Sequence, residues 1–110
     1  MLKIPEEIKE LPCPVEKTLA IVGNKWSLLI LRELNNNDQM RFNELLASLK
    51  PISSKTLSSK LKDLAKYYVV NKEVIASTPV KIHYSLSEAG KDFESVLSSM
   101  AKWSIKWLQE

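Results

Sequence analysis

Apolar residues recur along this chain in two rhythms. Up to about residue 66, and again after 87, they return every three or four positions, the period of a helix with one buried face. Between 70 and 86 they alternate, the period of a half-buried strand. Residues 1–12 form a lead-in that fits a short helix over Pro5–Leu11. Cys13-Pro14-Val15-Glu16 then reads as a helix start, with Pro at the first helical position and an acid in the first turn, and this helix runs to about Val22. Gly23-Asn24 ends it, and the Asn24 side chain can cap the next helix by accepting from the Trp26 or Ser27 N–H. That helix, Lys25–Leu34, is apolar around most of its circumference, which predicts a central core position. Asn35–Asp38 reads as a loop.

The stretch Met40–Lys66 constrains function most. Phe42, Leu45, Leu46 and Leu49 follow an i, i+3, i+4, i+7 pattern and predict a helix over Phe42–Leu49. Lys50-Pro51-Ile52 is a turn, because Pro51 biases Lys50 away from helical geometry. Ser53 is placed to cap a second helix, Ser54–Lys66, with Leu57, Leu61 and Leu64 on its inner face. Val70–Ala76 and Val80–Leu86 then predict a β-hairpin, the second strand turning Val80, Ile82, Tyr84 and Leu86 to one side. Ser87 caps one long last helix to about Leu108, with a seam through Phe93, Leu97, Met100, Trp103 and Trp107. The order predicts a mainly α fold with a β-hairpin wing, a winged helix-turn-helix with extra N- and C-terminal helices, as one domain over 13–110.

Composition narrows this picture. A length of 110 residues suits one domain and is short for two. The single Cys excludes an internal disulfide framework and fits a reducing cytoplasm, and one His with one Cys cannot supply a zinc site of the usual ligand count. No cofactor is expected. The first twelve residues are acidic and lack the apolar stretch of a signal peptide, and no run is long enough for a membrane span. Two glycines in the whole chain rule out a glycine-rich phosphate loop, and no paired carboxylates, nucleophile motif or metal cluster suggests an enzyme.

The net charge of +3 is modest, so where the charge sits matters more than its sum. At about 100° per residue, Lys55, Ser58, Ser59, Lys62 and Lys66 gather opposite the leucine stripe of Ser54–Lys66. Ammonium groups neutralise phosphate or reach guanine O6 and N7, and hydroxyls bond phosphate or base edges. Ser53, Ser54, Lys55, Thr56, Ser58, Ser59, Lys62 and Lys66 are therefore the recognition-helix candidates for double-stranded DNA; the same pattern also fits a solvated helix face. The helix has no Arg, Asn or Gln, the usual bidentate base readers, so phosphate contacts and DNA shape are expected to carry much of the binding. A second set is Arg41, Lys72, Lys81 and His83. Lys81 and His83 share the outward face of the second strand and Lys72 lies on the first; for His83 a solvated strand face is the stronger reading.

Taken in order, Cys13-Pro14-Val15-Glu16, Gly23-Asn24-Lys25-Trp26-Ser27, Leu28–Leu34, Arg41-Phe42-Asn43-Glu44-Leu45, Ile52-Ser53 with Thr56-Leu57-Ser58, Leu61-Lys62-Asp63-Leu64 and Tyr84–Gly90 resemble the HxlR-type winged helix-turn-helix regulators of bacteria and archaea. The resemblance covers about residues 12–107 and implies a homodimeric transcriptional regulator on a pseudo-palindromic operator, paired through its terminal helices. Phe93, Leu97, Met100, Trp103 and Trp107 are the candidate dimer residues, although packing on their own domain uses part of that seam. The resemblance also places Cys13 where many relatives carry a cysteine that in some senses oxidants or electrophiles. Its position at a helix start favours a thiolate, nearby acids oppose one, and a small packed residue with no redox role is the alternative. Two departures stand out: Tyr68 occupies a position where the family usually has Gly, and Asn71-Lys72-Glu73 is less basic than many wings. A winged domain that docks on proteins rather than DNA remains the competing reading. Any small-molecule effector is unknown.

Overall fold

Asn24 opens the central helix of the molecule: in this computed structural model, which describes residues 2–108, its side chain accepts from the Ser27 N–H at 2.8 Å. The chain reaches that cap through α1 (Glu6–Lys9), whose Ile8 is buried, and α2 (Pro14–Val22). Gly23 joins α2 to the cap because a Cβ there would collide with the Leu19 carbonyl oxygen. The central helix α3 spans Lys25–Asn36, two residues beyond the expected end. Asn35 and Asn36, read as loop, form its last turn because the Asn37 amide donates to the Glu33 carbonyl at 2.9 Å and satisfies a terminal acceptor. Ile30, Leu31 and Leu34 of α3 are buried, as the apolar circumference predicted.

A short strand not foreseen in the sequence, β1 (Met40–Arg41), leads into α4 (Phe42–Ser48), and α5 (Ser54–Lys66) follows the turn. The hairpin strands are β2 (Val70–Ile75) and β3 (Lys81–Leu86). All pairing is antiparallel in the order β1-β3-β2, so β3 is the middle strand of a three-stranded sheet rather than half of a free hairpin. Two residues are too few to show a period, which is why β1 left no sequence signal. The core lies between α3, α4, α5 and the sheet, built on Ile30, Leu31, Leu45, Leu57, Leu61, Leu64 and Leu86. Each fully buried leucine contributes about 1.5–3 kcal/mol relative to exposure.

The expected single last helix is two: α6 (Glu88–Asp92) and α7 (Glu94–Trp107). Ser87 caps α6 by accepting from the Gly90 N–H at 3.1 Å while its own hydroxyl donates to the Val69 carbonyl at 2.9 Å. Gly90 is buried so close to Val69 O that any Cβ would clash, which fixes α6 against the end of α5. At Phe93 the bonding tightens: its N–H donates to Gly90 O, three residues back, and the Val96 N–H donates to Phe93 O in the same way. The α-helix is interrupted there, and of α7 only Leu97 packs against the core. The expected domain boundary at residue 110 lies outside the described residues.

Candidate nucleic-acid interface

The α4–turn–α5 unit presents α5 as a bolt with one face in the core. Leu57, Leu61 and Leu64 are buried, and Lys55, Ser58, Ser59, Lys62 and Lys66 are exposed on the other side. Ser53 caps α5 by accepting from the Thr56 N–H at 3.1 Å, and its hydroxyl donates to Thr56 Oγ1 at 2.9 Å. The Ser53 and Thr56 hydroxyls are thus tied to each other, Thr56 is half-buried, and Ser54 stands exposed beside them. Lys66 leans over the Tyr67 ring, its Nζ 5.4 Å from the centroid, toward the far end of the helix. The ion pairs among the described residues are Lys9–Glu6 and Arg32–Glu33, so none of the α5 or wing lysines is neutralised by a carboxylate. An unpaired lysine face is the electrostatic form of a phosphate-binding surface.

The C-terminus of α5 explains the Tyr68 departure. Tyr68 adopts φ 59°, the left-handed conformation that favours glycine. Its N–H donates to Ala65 O at 3.1 Å and the Val69 N–H to Leu64 O at 3.0 Å. This is the helix stop a glycine would make, retained with a tyrosine at a steric cost of about 1–2 kcal/mol.

The sheet register sorts the wing candidates differently from the sequence reading. Antiparallel partners share a face, and Lys72 pairs with Tyr84 whereas Glu73 pairs with His83 and Ile75 with Lys81. Lys72 therefore stands on the α5 side of the sheet, and Lys81 and His83 stand on the opposite side; they do not form one set. Lys72 lines a cleft with Ser58 and Lys62 of α5, while Lys81 is exposed near the tip. Arg41 is exposed at the N-cap of α4, its own N–H held by Glu44 Oε1 at 2.8 Å, and it pairs with His83 across β1 and β3. The expectation of an outward, solvated His83 fails. With β1 on one side and β2 on the other, His83 lies between Arg41 and Glu73, and both its ring nitrogens are buried without a hydrogen-bond partner. It offers no polar atom to a groove.

The dimer candidates also divide. Phe93 and Leu97 are half-buried against the core of their own domain. Met100, Trp103 and Trp107 are 49%, 60% and 64% exposed, and no residue of α7 is fully buried. With Val96 they form one stripe at four-, three- and four-residue steps. The sequence reading missed Val15 and Leu19, which are exposed one turn apart on α2; an apolar i, i+4 pair in a helix with few buried residues was the available signal. Cys13 is the half-buried N-cap of α2, and the backbone N–H groups of Glu16 and then Val15 hold its thiol pKa below the ordinary value against a smaller opposing effect of burial.

This architecture has close counterparts. A model of the HxlR-like helix-turn-helix family matches residues 21–110. The HTH-type transcriptional regulator YvaP of Bacillus subtilis (strain 168) is 40% identical over 97 residues, covering 87% of this chain and 89% of that protein. Among solved structures, the HTH-type transcriptional regulator ytcD superposes with a TM-score of 0.84 at 32% identity, covering 89% of this chain and 99% of that one. The redox regulator HypR in its oxidized form superposes with a TM-score of 0.79 at 32% identity over 86% of this chain and 96% of its own. The chain belongs to the HxlR-like helix-turn-helix family: it is a winged-helix, DNA-binding transcriptional regulator and not an enzyme. Among the described residues no helix is long and apolar enough to cross a membrane.

Proposed function

We propose that the protein acts in the cytoplasm as a homodimer that sets two α5 helices into successive major grooves of a pseudo-palindromic operator, about 34 Å apart. The observation that carries this reading is the stripe Val96, Met100, Trp103 and Trp107, left in solvent on a helix of which only Leu97 packs against the core. Two indoles and a thioether in one row suit a second copy of the same surface. On the opposite role, Lys55, Ser58, Ser59 and Lys62 of α5 contact DNA, with Lys72 from the wing beside them and Lys81 and Arg41 on the far side of the sheet. Sedimentation of the purified protein, followed by selection and sequencing of bound genomic fragments, tests both halves. A dimer enriching an inverted repeat is expected. A monomer, or binding to fragments without a shared repeat, would reject the reading, and salt-independent binding would favour a protein-docking winged domain.

We also propose that Cys13 senses oxidants or electrophiles, a role supported by its lowered pKa and by the likeness to a redox regulator. With one cysteine per chain, a disulfide requires the Cys13 of a second copy or a small thiol. Diamide treatment should change operator affinity in the wild type and leave Cys13→Ser unaffected; an equal response in both removes Cys13 from sensing.

A further inference from the structure

Tyr84 lies on β3, the middle strand of the sheet. Its side chain is only 8% exposed, which reads at first as core. Yet nothing among the described residues hydrogen-bonds its hydroxyl, and the side-chain polar atoms that are buried without a partner are the two nitrogens of His83. The Tyr84 hydroxyl is therefore not fully enclosed, and the residue borders open space. That space is a cleft of about 240 Å³ between α5 and the wing, lined by Ser58, Leu61, Lys62, Ala65, Lys72 and Tyr84. One cross-strand row runs from buried Met40 through Tyr84 to exposed Lys72, so Tyr84 and Lys72 share a face of the sheet. Ser58 and Lys62 stand one turn apart on the facing side of α5.

The chemistry of the lining is one-sided. Two ammonium groups, a hydroxyl and a phenol supply donors, and no carboxylate is present. Burial raises the phenol's pKa, so it stays protonated and able to donate at neutral pH. A cleft with two cations, two further O–H donors and no carboxylate matches an acceptor-only anion, and its position between recognition helix and wing matches the path of a DNA strand.

We propose that this cleft seats one phosphate of the DNA backbone, with the Tyr84 O–H donating to a phosphate oxygen between Lys62 and Lys72. The proposal rests on the DNA-binding reading of α5 and adds a residue to it that the sequence pattern assigns to the core. One phosphate gripped from α5 and from the sheet at once fixes the angle between helix and wing on the duplex, which positions the base-facing side chains without reading sequence itself.

The test is Tyr84→Phe, which keeps the ring in the core and deletes the donor. Binding to an operator duplex is measured across a salt series, with thermal unfolding as the check on folding. Affinity is expected to fall roughly tenfold at every salt concentration, because a hydrogen bond to a charged group is lost but no charge is. The salt slope should stay that of the wild type, whereas Lys72→Ala should lower it by about 0.9. Duplexes carrying a single uncharged methylphosphonate at successive positions locate the contact: at one position per half-site the wild type should fall at least as far as Tyr84→Phe does on the unmodified duplex, and its advantage over Tyr84→Phe should disappear. Wild-type affinity in Tyr84→Phe, or a loss that no methylphosphonate position reproduces, overturns the proposal. If inorganic phosphate, exchanged for chloride at constant ionic strength, raises the melting temperature of the wild type but not of Tyr84→Phe while DNA affinity is equal in both, the cleft holds free phosphate and the proposal is equally overturned. A wild type that binds no duplex would instead remove the DNA-binding reading beneath it.

Discussion

Helices α5 and α7 are nearly the same length, 13 and 14 residues, and each carries an apolar stripe, yet the structure treats them in opposite ways. In α5 every leucine of the stripe is buried and Lys55, Lys62 and Lys66 face out. In α7 nothing is fully buried, and two tryptophans and a methionine face out beside Lys102 and Lys106. The difference lies in what stands opposite. The stripe of α5 meets α3 and the sheet of its own domain, whereas beyond Leu97 the apolar side chains of α7 stay exposed. An amphipathic stripe thus declares that something must cover it, and only packing says whether the cover is intramolecular.

That contrast makes graded predictions. The largest effect belongs to the covered stripe: Leu61→Ala should destabilise the fold by about 2–5 kcal/mol, read by denaturant unfolding, because a fully enclosed side chain leaves a cavity. A loss below about 1 kcal/mol would mean that α5 is less firmly seated than its burial implies. Next comes the uncovered stripe. Trp103→Glu should weaken self-association by at least about 2 kcal/mol in sedimentation while leaving the unfolding of the isolated chain nearly unchanged, since the indole is already 60% exposed. If it destabilises the monomer as Leu61→Ala does, the two helices are not different after all.

Smaller effects sharpen the comparison of the polar faces. Lys62→Ala should lower the salt slope of DNA binding by about 0.9 with a several-fold loss of affinity on any sequence, and Lys102→Ala on α7 should do neither. Equal effects would show a diffuse basic surface rather than a recognition face. The smallest change is Tyr68→Gly. It releases about 1–2 kcal/mol of left-handed strain and gives back about 0.5–1 kcal/mol of glycine entropy, so the melting temperature should rise slightly. A lower melting temperature would show that the exposed Tyr68 ring makes a contact worth more than its strain.

Periodicity, caps and turns were enough to place α2 through α5 and the two long strands, because these elements follow local rules: Pro14 at a helix start, Asn24 and Ser53 as caps, Leu57, Leu61 and Leu64 at helical spacing. The lysine and serine face of α5 was legible for the same reason. Three features were not. β1 was too short to carry a period, and its pairing with β3 turned His83 from an outward residue into an enclosed one. The register placed Lys72 on the side of Tyr84, a choice of face that alternation within one strand cannot make for its neighbour. The break at Phe93 splits the last helix where the sequence continues a helical pattern.

By itself, then, the sequence determined the long helices and strands through residue 86, the inward stripes of α3, α4 and α5, and the class of DNA-binding regulator to which they add up. These depend on contacts a few residues apart along the chain. The tertiary structure decided which surfaces find a partner within the domain: the stripe of α5 does, that of α7 does not, the nitrogens of His83 are shut in, and the Tyr84 hydroxyl is left open beside Lys62 and Lys72. Those outcomes depend on strand register and on how the elements pack, and both are settled by residues far apart in sequence meeting in the packed fold.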